Sequence, residues 1–168
     1  MGGKVAMAAA LEAPGAITKL LVADIAPVRY PPAFRGFADA MAAVPLAPGL
    51  TRIEADRALA TVVENPGTRA FLLQNLRFGE TPGWRINLPV ITASLPLIED
   101  WPDLDENAYR GPALFVSGAR SDYILPEHRP VIREMFPAAL FATLKNAGHW
   151  LHADNPDGFV SLVDAFVS

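Results

Sequence analysis

Apolar residues along this chain fall into two regimes. Ile17 to Ala23, Ala113 to Ser117 and Leu140 to Leu144 are short apolar runs without helical spacing, the pattern of strands buried in a parallel sheet. Elsewhere the apolar positions recur at helical intervals. An alanine-rich stretch from Val5 to Glu12 has strong helix propensity and stops at Pro14-Gly15. Phe34, Phe37, Met41 and Val44 share one helical face, and Thr51 with Glu54 forms a capping box ahead of Ile53, Leu59, Val62 and Val63. A further helix follows Pro66 with Phe71, Leu72 and Leu76; Trp84 to Leu88 reads as briefly extended, Val90 to Ile98 as helix and Trp101 to Arg110 as loop. Beyond the second strand run the pattern predicts a helix from Pro126 to Phe136. A final helix has Asn155 as N-cap, Pro156 in its first turn, and Phe159, Leu162, Val163, Phe166 and Val167 on one face. Strands separated by helices imply an α/β fold with a parallel sheet, and the helical pieces between the first and second strands imply an insertion.

Composition narrows the class. At 168 residues and 51% hydrophobic, the chain is long enough for one domain with a sizeable core. A net charge of -4 with scattered Lys and Arg excludes the basic footprint of a nucleic-acid binder. The absence of cysteine excludes disulfides and thiolate metal sites. No run approaches about 20 uninterrupted apolar residues, so no membrane span is expected, and the cytoplasm is the default location.

The candidate chemistry sits at the carboxyl ends of the three predicted strands, where open parallel sheets place their ligands. Those ends hold Asp24, Asp122 and, in Asn146-Ala147-Gly148-His149-Trp150-Leu151-His152, His149. A carboxylate beside an imidazole fixes its tautomer and stabilises the imidazolium, leaving the second nitrogen to take a proton from a nucleophile. His152 lacks neighbouring carboxylates at ligand spacing, so no metal is expected; His128 reads as an exposed helix residue.

Met1-Gly2-Gly3 followed by the alanine-rich helix resembles the second half of the Gly-His-Ser-Met-Gly-Gly nucleophile elbow of the α/β-hydrolase superfamily. Asp24-Ile25-Ala26-Pro27-Val28, Trp84-Arg85-Ile86-Asn87-Leu88, Gly118-Ala119-Arg120-Ser121 and Asn146 to Ala153 extend the likeness to its small acyl-esterase subgroup. The resemblance implies the C-terminal portion of that fold. Core elements occupy 1–30, a helical cap insertion 31–110, and the last two strands with the histidine loop 111–168. It implies a carboxylic ester hydrolase acting on a small-molecule acyl ester without a cofactor. His149 is then the base, and the backbone of Met1 contributes to the oxyanion hole. Most of the superfamily places the orienting acid four residues into a Gly-x-x-Asp turn, a slot held here by Ser121, with Asp122 one residue late. The subgroup instead ends the preceding strand with it, and Asp24 occupies that position, so Asp24 is preferred and Asp122 is the alternative.

Phe34, Phe37, Met41, Trp84 and Trp150 are candidate lining for an acyl pocket, and equally candidates for packing the cap together. Arg85 and Asn87 are read as structural. The serine of the elbow would stand one residue before Met1. The chain is therefore expected to be N-terminally truncated, inactive alone, and prone to association through an unpaired apolar strand edge. Two other classes stay open: a non-catalytic hydrolase-fold binding protein, and a dehalogenase or epoxide-hydrolase relative with an aspartate at the elbow. The oligomeric state is not fixed by the sequence.

Overall fold

The computed structural model describes residues 1–104 and 107–168, in two compact units. Met1–Arg29 with Asp100–Ser168 forms one, and Tyr30–Glu99 the other.

The first unit opens with helix α1 (Gly2–Glu12), followed after a 3-10 turn by strand β1 (Leu20–Ala23). Among the described residues its sheet has three parallel strands in the order β1-β4-β5, where β4 is Ala113–Gly118 and β5 is Ala139–Leu144. Val22, Phe115 and Phe141 stand in one row across the strands. Phe115 packs against Phe136 with ring centroids 5.5 Å apart and against Phe141 at 5.9 Å, so this face carries an aromatic core. Leu114, Val116, Ala142, Leu144, Ala147 and Leu151 belong to a second cluster, covered by Phe159, Leu162 and Phe166 of the last helix.

The first strand is shorter than the apolar run that predicts it. Its ladder begins only where Leu20 donates to the carbonyl of Pro112 at 2.9 Å, opposite the start of β4. Ile17 and Lys19 serve other partners: the Ile17 carbonyl accepts the buried Tyr109 hydroxyl, while Lys19 Nζ donates to the carbonyls of Phe166 (2.9 Å) and Val167 (3.0 Å). An ammonium there satisfies end-of-helix acceptors and matches the negative end of the helix dipole. Val167 is exposed rather than on the buried face that the spacing predicts, because the helix ends there. The stretch predicted as loop from Trp101 to Arg110 holds no helix or strand in its described residues, but positions 105 and 106 lie outside them. It contributes Tyr109 to the core, and burial pushes that hydroxyl's pKa up.

The second unit comprises α2 (Arg35–Ala42), α3 (Arg52–Leu59), α4 (Pro66–Leu72), a hairpin of β2 (Leu76–Arg77) and β3 (Gly83–Trp84), and α5 (Leu88–Glu99). The capping box at Thr51 forms as the sequence predicts: Glu54 N donates to the Thr51 hydroxyl, and the Glu54 carboxylate accepts the Thr51 amide at 2.8 Å. The Thr51 hydroxyl, which also donates to the Glu54 carboxylate at 2.7 Å, and then the Thr51 amide hold that carboxyl below its ordinary range. The extended segment around Trp84 is only a two-residue strand, and the following helix starts two residues earlier than its spacing suggests, with Asn87 Oδ1 accepting Val90 N. Glu99 ends that helix nearly buried, and its Oε1 accepts the amides of Ala33 (2.9 Å) and Phe34 (3.1 Å) ahead of α2. Met41, Leu59, Leu73 and Leu88 anchor an independent core.

The remaining elements, α6 (His128–Met135), α7 (Leu151–Asp154) and α8 (Pro156–Val167), belong to the first unit. Asn155 joins strand to helix at both ends of its side chain: Oδ1 accepts Gly158 N (3.1 Å), and Nδ2 donates to the carbonyl of Lys145 (2.9 Å). Asn155→Ala removes the cap and leaves that carbonyl unpaired, so a loss of about 1 to 2 kcal/mol is expected in urea unfolding.

Candidate active site

Asp24 follows the last residue of β1 and still continues its ladder, donating its amide to Val116 O at 2.8 Å. Its φ of 51° is left-handed, a conformation that Asp tolerates better than most residues, and it turns the chain sharply out of the sheet. The side chain is fully buried. A buried carboxylate requires donors, and Asp24 has three: Oδ1 accepts Gly118 N at 3.1 Å, and Oδ2 accepts the Ser121 hydroxyl and faces His149 Nδ1 at 2.8 Å.

These donors come from the ends of the neighbouring strands. Gly118 closes β4, and Ser121 lies three residues on, in a turn closed by Ser121 N donating to Gly118 O at 3.1 Å. His149 follows β5 on a loop in which Asn146 adopts a left-handed φ of 60°. Two backbone bonds staple the loops together, Ala119 N to Leu144 O at 3.0 Å and Arg120 N to Ala147 O at 2.9 Å, and Arg120 Nη2 donates to Asn146 O at 2.8 Å. Asp154 Oδ2 accepts Gly148 N at 2.6 Å, tying the histidine loop to α7. Close approach depends on glycine. A Cβ at position 118 would lie 2.2 Å from the Gly148 carbonyl oxygen, and one at position 3 would lie 2.3 Å from Cγ2 of Ile25, beside Asp24.

The His149 side chain is 44% exposed, so one ring edge meets the buried acid while part of the ring stays accessible. With Asp24 ionised, and so only accepting hydrogen bonds, and the imidazole neutral, Nδ1 carries the shared proton and Nε2 keeps its lone pair. Among the described residues no hydroxyl hydrogen-bonds Nε2. Tyr123 stacks on the imidazole, with centroids 4.0 Å apart and planes at 23°.

The sequence therefore names both members of the hydrogen-bonded pair at the strand ends, Asp24 and His149. Asp122, the alternative acid, is exposed and makes no hydrogen bond to His149. Ser121 fills the slot of the more common acid and donates to Asp24, a link that follows from the two loops meeting and not from any local pattern. Gly118 opens one of the stretches that carry the family resemblance, whereas Tyr123 has no sequence signal of its own. His152 is exposed on α7, and His128 accepts Leu125 N at Nδ1. Met1 caps α1 with an exposed side chain.

The candidate pocket residues divide. Trp84 lines an open groove of about 710 Å³ in the helical unit with Arg35, Leu46, Asn87 and Leu88, and its Nε1 donates to Met41 O. Met41 is in that unit's core, Phe37 packs against it, and Phe34 lies partly exposed beside Phe37. Trp150 belongs to the sheet unit and is partly exposed. Among the described residues no cluster of His, Asp and Glu is placed to hold a metal ion, and no helix is long and apolar enough to cross a membrane.

A buried acid and a half-exposed imidazole meet beyond the strand ends of a parallel sheet. Residues 1–162 match the model of the alpha/beta hydrolase family, and the chain belongs to that family. It is 39% identical over 175 residues to the sn-1-specific diacylglycerol lipase ABHD11 of Mus musculus, and 34% identical over 170 residues to Esterase YbfF of Escherichia coli (strain K12). Both alignments cover 100% of this chain, and they cover 57% and 65% of those proteins. Among solved structures, a marine microorganism esterase matches 98% of the chain and 66% of its own length, with a TM-score of 0.90 and 32% identity. The chain thus spans little more than half the length of the first of these relatives.

Gly118→Ala should force the histidine loop away from β4. A loss of about 1 to 3 kcal/mol in urea unfolding is expected, since backbone and not a flexible side chain blocks the added methyl.

Proposed function

We propose that this chain carries the proton-transfer pair of a carboxylic ester hydrolase acting on a small-molecule acyl ester, with His149 as base and acid and Asp24 as the acid that orients it. The observation that carries this reading is the 2.8 Å contact between Nδ1 and a fully buried carboxylate, which leaves Nε2 free to accept a proton. The esterase and lipase names of the relatives support the same reaction class.

The chemistry follows from that arrangement. A serine hydroxyl attacks the ester carbonyl while its proton passes to Nε2, and the imidazolium so formed keeps its Nδ1 proton on Asp24. Collapse of the tetrahedral intermediate sends the Nε2 proton to the departing alcohol; water then repeats the sequence on the acyl-enzyme. The backbone nitrogen of Met1, at the start of α1, is offered as one donor to the oxyanion. The serine is not assigned to any residue of this chain, because Ser121 is committed to Asp24 and no described hydroxyl engages Nε2. The 168 residues alone are accordingly proposed to be inactive.

Two measurements test this. A fluorophosphonate probe, which labels only activated serines, should leave the 168-residue chain unlabelled and should label a chain extended so that Gly-His-Ser precedes Met1. In that extended chain, Asp24→Asn should lower kcat on the order of 10⁴-fold, the scale for losing an orienting carboxylate, while Asp122→Asn leaves it near the parental value. Ester turnover by the unextended chain, or a large loss on Asp122→Asn alone, contradicts the assignment.

A further inference from the structure

We propose that Tyr123 is a positioning residue for His149, holding the plane of the imidazole so that Nε2 keeps one direction; the catalytic meaning of this rests on the hydrolase reading above. A single hydrogen bond fixes one atom of a ring. The Nδ1 contact to Asp24 Oδ2 and the Cβ–Cγ bond limit the imidazole but still let it roll through coupled changes in χ1 and χ2, and the side chain is too exposed for packing on all sides to stop that. A ring stacked at 4.0 Å and 23° removes that freedom, since rolling would lift the imidazole edge out of face-to-face contact. Edge and face together determine where Nε2 points.

Tyr123 is itself fixed by the acid that it helps to serve. Its amide donates to Ser121 Oγ at 3.3 Å, and the same hydroxyl donates to Asp24 Oδ2. The turn holding both residues is stapled to the histidine loop through Ala119 and Arg120. One short segment therefore presents a hydrogen-bond donor to the acid and an aromatic face to the base. Among the charged groups of these loops, Asp24 contacts the imidazole, while Arg120 and Asp154 stand 3.9 Å apart and engage the backbone of the histidine loop. Tyr123 is the aromatic group with its face on the imidazole. When the ring takes up a proton, that π face also receives the added charge favourably.

The test uses proton NMR on the 168-residue chain and its Tyr123→Phe and Tyr123→Leu variants. In the parent, the ring CH protons of His149 should be displaced upfield by the tyrosine ring current, and the Nδ1 proton should exchange slowly with water. Tyr123→Phe should preserve both signatures. Tyr123→Leu should abolish the upfield displacement and speed Nδ1 proton exchange at least tenfold, with a thermal midpoint near the parent's. Unchanged Nδ1 exchange in the leucine variant overturns the proposal. So does a parent spectrum without the ring-current displacement, which needs no variant to fold. Neither readout requires turnover, so absence of ester hydrolysis in the serine-extended chain would sink the hydrolase reading alone. In that extended chain, Tyr123→Leu should lower kcat about tenfold with KM unchanged.

Discussion

A carboxylate sealed from solvent at the end of a strand is the constraint on which the sheet unit is built. Asp24 is desolvated completely, so every direction from which it could be hydrated must be filled by a protein donor. Gly118 at the end of β4, Ser121 in the turn that follows it and His149 in the loop after β5 fill them. The left-handed turn at Asp24, the left-handed turn at Asn146 and the glycine at 118 are all consequences of bringing those donors within reach. Remove the acid and the arrangement loses its reason: two loops would be pressed together with their polar groups aimed at nothing.

The division into two units matters for how this constraint is met. The pair, its supporting turn and its stapling bonds all lie in the unit formed by Met1–Arg29 and Asp100–Ser168. The helical unit has its own core around Met41, Leu59, Leu73 and Leu88 and its own apolar groove, and its internal logic is that of helix packing and capping. Chemistry and cavity therefore arise from separate cores in one chain.

Much of this was legible in the sequence for a simple physical reason. Short apolar runs such as Ala113 to Ser117, separated by helical stretches, fit buried strands, parallel strands bring their carboxyl ends to one edge, and the polar residues at those ends are then brought near one another whatever their separation in the chain. That logic reaches Asp24 and His149 across 125 residues. The capping box at Thr51 and the Asn155 cap were legible because their geometry is local. What the sequence could not show depends on how loops meet. Ser121 was visible only as the occupant of a slot normally held by the acid, and Tyr123 not at all, since stacking on His149 exists only once two loops are stapled. The start of β1 shifted to Leu20 because the partner strand, and not the apolar run, decides where a ladder begins. Tyr109 entered the core from a segment without regular structure, a placement that no periodicity encodes.

The proposed role of His149 depends on the proton at Nδ1. Nitrogen-edited NMR of the 168-residue chain, above the pH at which the imidazole is charged, reports directly which ring nitrogen is protonated. The Nδ1–H tautomer is expected in the parent and should cease to be the dominant form in Asp24→Asn, where the amide no longer selects it. A parent spectrum dominated by the Nε2–H tautomer, or one indifferent to Asp24→Asn, would contradict it.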